Sequence, residues 1–206
     1  MMNFALRRFA CHLVAAAMLA ACGGGSHKIP KLDAGDVVLA FGDSLTFGTG
    51  APPGDSYPAV LERAISRKVV NAGVPGETSE EGLRRLPEAL DEVKPKLLIL
   101  CHGGNDFLRR LDERRAGENV RAMVALARER NIPVVLLATP KPGLPPSIPA
   151  FYGEIATEMR LPFDDVVVKS VLFDASLKSD MVHPNTQGYA RMAAAVEKVL
   201  RKSGAI

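Results

Sequence analysis

The strongest constraint on this chain is a repeating alternation of short apolar runs with segments of helical periodicity. The runs are Val37–Phe41, Lys68–Val70, Leu97–Cys101 and Val134–Ala138, with a weaker fifth at Pro162–Phe163. Between them lie Tyr57–Ser66, Ser79–Val93, Glu118–Arg130 and Ile148–Met159, and a last helix follows Pro184. Strand, helix, strand, helix predicts a parallel sheet covered on both faces. Two helices declare their buried side. Tyr189, Met192, Ala193, Val196, Val199 and Leu200 recur at three- and four-residue steps, as do Val120, Met123, Val124 and Ala127. Lys94-Pro95 and Asn131-Ile132-Pro133 read as helix stops, because proline disfavours helical geometry in the residue before it.

With 206 residues, 47% hydrophobic and 24% charged, the chain suits one globular domain and excludes disordered, fibrous and multi-span membrane classes. Its first residues differ from the rest. Arg7 and Arg8 stand without an acid before the apolar run Leu13–Ala21, the layout of a signal peptide. That run is shorter than the ~20 residues a membrane-spanning helix needs. Leu19-Ala20-Ala21-Cys22 resembles the lipobox of bacterial lipoproteins, in which the chain is cut before the cysteine and acyl groups are attached to it. The expected organisation is therefore a signal peptide over 1–21, a lipidated Cys22 with a Gly/Ser-rich tether over 22–35, and one domain over 36–206. An ordinary cleaved signal with an incidental Cys22 is the alternative. Gly23, where an aspartate would mark inner-membrane retention, favours the periplasmic side of the outer membrane of a Gram-negative bacterium.

This processing leaves Cys101 as the one cysteine of the domain, so no internal disulfide forms, and its place at the end of an apolar run reads as a small core residue. Loss of Arg7 and Arg8 with the signal lowers the formal net charge from +3, and nothing in the composition calls for nucleic acid.

The first strand runs into Gly42-Asp43-Ser44-Leu45, a turn that presents Ser44 at the carboxyl edge of the sheet. If a helical turn follows, the Ser44 amide is also free, because the first N–H groups of a helix lack internal partners. A serine needs a base. His12 falls in the signal and His27 in the tether, leaving His102 and His183. His183 is the better candidate, since Asp180 three residues before it can fold back onto the imidazole, fixing its tautomer and stabilising the imidazolium. Asn185 or Thr186 is the expected N-cap of the final helix. His102 reads as a supporting or packing residue. Oxyanion donors are available from the Ser44 amide, from Gly76, where a backbone N–H can approach a ligand closely, and from the Asn105 side chain, which donates without titrating. The stretch Thr139–Pro149, with five prolines in eleven residues, reads by default as a stiff connector, with a pocket wall as the alternative.

Gly42-Asp43-Ser44-Leu45, the Asn71–Ser79 segment, Gly103-Gly104-Asn105-Asp106 and Asp180-x-x-His183-Pro184-Asn185, in this order, resemble the SGNH or GDSL hydrolases, above all their bacterial thioesterases, lysophospholipases and arylesterases. The resemblance implies a flavodoxin-like three-layer α/β/α sandwich with five parallel strands and no metal or organic cofactor. It also implies Ser44 as nucleophile, His183 as general base then acid, Asp180 as its orienting partner, and Ser44, Gly76 and Asn105 as the oxyanion hole. Small acyl esters or thioesters are the implied substrates, with the membrane reached through Cys22. Cys101-His102 before the glycines departs from the pair usual in that branch, and the mature domain has no tryptophan; both bear on substrate identity. Two other functions remain in view: an O-acetyl esterase acting on cell-wall or exported polysaccharide, and a non-catalytic lipid- or glycan-binding lipoprotein.

Overall fold

The computed structural model describes residues 27–206, so the signal, Cys22 and the tether as far as residue 26 lie outside the described residues. Five strands, β1 (Val38–Gly42), β2 (Val69–Gly73), β3 (Leu97–Cys101), β4 (Val134–Leu137) and β5 (Phe163–Asp164), form one parallel sheet in the order β2-β1-β3-β4-β5. The expected flavodoxin-like three-layer sandwich is what the chain adopts. Alternate residues of each strand face opposite sides. Val38, Ala40, Leu97, Ile99, Val135 and Leu137 belong to one core, whereas Leu39, Phe41, Leu98, Leu100, Val134 and Leu136 belong to the other. The first core is closed by helices α2 (Tyr57–Ile65), α7 (Val167–Phe173) and α8 (Thr186–Ser203), the second by α3 (Ser79–Val93), α5 (Glu113–Glu129) and α6 (Ala150–Glu158). The stripes read on the last helix and around Val120–Ala127 are buried as expected, except for Val199, which is partly buried.

Two boundaries shift by more than two residues from the sequence reading, and one helix is added to it. Strand β2 runs on to Gly73, because Asn71 supports the extension from its side chain: Nδ2 donates to Phe47 O at 3.1 Å and Oδ1 accepts from Gly73 N at 3.0 Å. Helix α5 begins at Glu113 rather than Glu118, started by Asp112, whose carboxylate accepts from the amides of Arg114 (2.8 Å) and Arg115 (3.2 Å). Helix α7 lies in a run of valines that favours strand propensity; Asp164 Oδ1 turns it by accepting from Val166 N (3.0 Å) and Val167 N (2.7 Å).

The order of strands sets the site. From β1 the chain crosses to β2 on one side, and the next crossover lands β3 on the other, so the loops leaving β1 and β3 diverge above a crevice. Gly42 is in register with both Gly73 and Cys101. Two short helices grow from those loops, α1 (Ser44–Phe47) and α4 (Gly104–Leu108). At the other end of the domain, Ile29 N donates to Ser203 O (3.0 Å) and Leu32 N to Ala205 O (2.8 Å), tying the start of the described chain to its end.

Gly42 has no room for a side chain, since a Cβ would overlap the Cys101 carbonyl oxygen and Thr46 Oγ1. Gly42→Ala is expected to lower the free energy of unfolding by about 2–3 kcal/mol, read as a reduced urea midpoint at unchanged m-value.

Candidate active site

Asp43 is buried and caps α1, its Oδ1 accepting from Leu45 N at 3.0 Å. This cap fixes the turn that delivers Ser44 as the first residue of α1. Burial raises the Asp43 pKa, against the opposing influence of His102, the Leu45 amide and His183.

His183 arrives from the opposite side on a loop that is ordered largely from within. Asp180 Oδ1 accepts from Val182 N (2.8 Å) and His183 N (2.9 Å), while Asp180 Oδ2 lies 2.7 Å from His183 Nδ1. Burial acts to raise the Asp180 pKa, but these hydrogen bonds from the ring and the two amides outweigh it and hold the carboxyl below its ordinary value. Asn185 is the N-cap, accepting from Gly188 N at 3.0 Å, and its Nδ2 donates to Ser176 O at 2.9 Å. Tyr189, on the first turn of α8, donates to Thr49 O at 2.8 Å and so joins this helix to the segment after α1. The result is a row: His183 Nε2 stands 3.0 Å from Ser44 Oγ. With Nδ1 engaged by the carboxylate, the Nε2 lone pair faces the serine hydroxyl, the arrangement needed to remove its proton.

The other expected positions are less uniform. Asn105 and Ser44 line the same cleft as His183, and Asn105 Nδ2 lies 3.0 Å from Glu77 O and 3.3 Å from Asp43 Oδ2. Gly76, at φ +80°, sits in the loop after β2; it is not among the cleft-lining residues, and its carbonyl accepts from Arg109 Nη2 at 2.7 Å. The amides of Ser44 and Gly76 donate to no protein group among the described residues. The two loops are fastened to each other by Asp106, buried beneath them, which accepts from Ser79 N (2.8 Å) and Ser79 Oγ (2.7 Å).

The cleft above these groups has a volume of about 740 Å³. Thr139–Leu144 and Pro146 form one wall, so the proline-rich stretch is more than the stiff connector expected by default. It folds back on itself through Lys141 N to Ser147 O (2.8 Å) and is fastened to α5 by Lys141 Nζ and Glu113 Oε2 at 2.6 Å. Leu172, Phe173, Met181 and Val182 face it. Leu144 and Met181 are 97% and 88% exposed, leaving the mouth apolar. Cys101 is buried as expected, and burial pushes its thiol well up, with Asp43 adding to the effect. His102 is fully buried and outside the cleft, in keeping with a supporting role; its partner, Glu77, drew no attention in the sequence. The available signal was a histidine ending an apolar strand, which needs a polar partner when buried.

Residues 40–191 match the GDSL-like lipase/acylhydrolase family, and the chain belongs to it. It is 31% identical over 175 residues to esterase TesA of Pseudomonas aeruginosa, covering 77% of this chain and 85% of that protein. It is 29% identical over 160 residues to thioesterase 1/protease 1/lysophospholipase L1 of Escherichia coli K12, covering 74% of this chain and 77% of that protein. A crystal structure of TesA superposes with a TM-score of 0.72 at 27% identity, covering 80% of this chain and 98% of the other. The class is that of acyl-ester hydrolases.

Burial acts to raise the Glu77 pKa, but the hydrogen bonds from Arg85 and His102, together with the Arg85 charge, prevail and hold it at about 2, below its ordinary 4.5. A depressed carboxyl stabilises the fold fully above its unfolded-state value and ceases to do so as pH falls through the folded one. Between pH 5 and 2.5, Tm of the parent protein should therefore fall more steeply than that of Glu77→Gln, as followed by circular dichroism.

Proposed function

We propose that this protein is a serine esterase cleaving carboxylic esters or thioesters of lysophospholipase, thioesterase or arylesterase type through an acyl-enzyme. The supporting observation is the row Ser44 Oγ, His183 Nε2 (3.0 Å), His183 Nδ1, Asp180 Oδ2 (2.7 Å) above the switch point of the sheet. Ser44 Oγ attacks the acyl carbonyl while its proton passes to His183 Nε2, and Asp180 holds the resulting imidazolium. The carbonyl oxygen becomes an oxyanion, received by the amides of Ser44 and Gly76 and by Asn105 Nδ2, one of whose N–H groups turns to it from Asp43 Oδ2 while the other stays on Glu77 O. Collapse breaks the bond to the leaving alkoxide or thiolate, which takes the proton from His183. A water, deprotonated by the same ring, then attacks the acyl-serine and releases the carboxylic acid and free Ser44.

The apolar walls favour a medium or long acyl chain over acetyl, and the relatives named thioesterase and lysophospholipase agree with that preference. Ser44→Ala and His183→Ala should each reduce kcat on a p-nitrophenyl ester by about a thousandfold or more, and Asn105→Ala by about a hundredfold. Octanoyl or longer esters should exceed acetyl in kcat/KM. Turnover undiminished in Ser44→Ala refutes the mechanism, and activity confined to acetyl esters would favour the polysaccharide deacetylase instead.

We further propose that the domain is held by an acylated Cys22 on the periplasmic side of the outer membrane. The support is the Leu19–Cys22 motif followed by Gly23. In a Gram-negative host the full chain should take up labelled palmitate and sediment with membranes, and Cys22→Ala should do neither. Label retained in that variant would remove Cys22 from the scheme.

A further inference from the structure

Glu77 is charged, yet its side chain is only 6% exposed, and the mechanism above leaves it unused. Its carboxylate is gripped from two directions. Arg85 donates to it twice, Nε to Oε1 and Nη2 to Oε2, both at 2.7 Å, and His102 Nε2 lies 3.0 Å from Oε2. Gly103 N donates to His102 Nδ1 at 3.1 Å, which assigns the remaining ring proton to Nε2 and makes the imidazole a donor to Glu77. The unit thus holds one carboxylate, one guanidinium and a neutral imidazole.

These contacts close a ring. From the Glu77 carboxylate the path runs through the His102 ring to the Gly103 amide, along the backbone to Asn105, and from Asn105 Nδ2 back to the Glu77 carbonyl oxygen at 3.0 Å. Each side of the ring carries one of the side-loop oxyanion donors. Gly76 precedes Glu77 in the peptide chain, so anchoring the Glu77 side chain limits rotation of the peptide that follows the Gly76 amide. Asn105 is held directly.

The surroundings are shaped to keep the ring rigid. Gly82 of α3 faces the imidazole, where a Cβ would overlap His102 Nε2. Phe41 lies under both cationic and aromatic members, 4.1 Å from the Arg85 guanidinium and 5.9 Å between centroids from His102. Arg85 Nη2 also donates to Ala72 O (3.0 Å), and Tyr152 donates to His102 O (2.6 Å), fixing the clamp to β2 and α6.

We propose that Glu77, clamped by Arg85 and His102, is the positioning residue of the oxyanion hole, setting the Gly76 amide and the Asn105 side chain in the orientation that receives the tetrahedral intermediate. This rests on the reading of Ser44, His183 and the oxyanion donors given above. Glu77 touches no reacting atom, and its effect is transmitted through the two donors. Misplacement of such groups by an ångström or less costs rate rather than substrate affinity.

The test is Glu77→Gln, which keeps the shape and removes the charge. On an octanoyl ester kcat should fall about tenfold to a hundredfold with KM nearly unchanged. Affinity for an alkyl trifluoromethyl ketone, which forms a tetrahedral adduct, should fall by a similar factor, while affinity for the matching alkyl amide stays the same. In an Asn105→Ala background Glu77→Gln should cost little more, because part of the hole it orients is already absent. Unchanged kcat, equal weakening of ketone and amide, or fully additive losses overturns the proposal. If Glu77→Gln does not fold, Arg85→Lys, which keeps the charge without the two-pronged grip, takes its place under the same criteria. Ser44→Ala runs beside it as the control. Activity surviving in Ser44→Ala rejects the esterase mechanism itself, whereas a dead Ser44→Ala with a fully active Glu77→Gln rejects only the role of Glu77.

Discussion

The parallel pairing of β1 with β3, with Gly42 level with Cys101, is the contact on which the rest depends. It brings two loops far apart in sequence out of the sheet side by side, one carrying Asp43 and Ser44, the other His102 to Asp106. The absence of a side chain at Gly42 lets α1 start directly over the end of β3. Neither loop is long, so their relative placement follows from strand register rather than from conformational choice. The final helix adds the third component, and its N-cap, Asn185, is also the residue that braces the loop bearing His183.

Around this crevice the protein buries three carboxylates, and each is answered by donors. Asp43 meets Leu45 N and Asn105, Glu77 meets Arg85 and His102, and Asp106 meets both polar groups of Ser79. An unanswered buried charge is strongly unfavourable, and a fully hydrogen-bonded one restricts the groups around it to a single arrangement. Here the three carboxylates lie beneath the loops rather than at the mouth of the cleft, which is lined chiefly by apolar side chains. Rigidity below and an apolar opening above match a reaction in which charge develops at one atom of an acyl ester.

Much of this was legible in the residues. Apolar runs bounded by proline and glycine marked β1, β3 and β4 well, since burial on both faces demands nearly unbroken hydrophobicity. The histidine with an aspartate three residues earlier was readable because the contact is local. Where local chemistry was overruled from a distance, the sequence was silent. Asn71 and Gly73 look like loop residues and become strand only because β1 is there to pair with them. Val166–Val168 looks like a strand and becomes helix through one aspartate side chain. Glu77 and His102 are 25 residues apart, and nothing in their flanking residues announces that they meet. The proline-rich segment was ambiguous because stiffness serves a connector and a pocket wall equally; its partner Glu113 lies 28 residues away.

The binding of Ile29 and Leu32 to the tail of the chain has a directional meaning. Helix α8 starts beside His183, and its 18 residues, at ~1.5 Å each, carry it about 27 Å away before it ends at Ser203. The polypeptide therefore joins the domain at the pole remote from the reacting serine. A partner or tag joined to the chain at Lys28 meets the domain on the side turned away from the cleft.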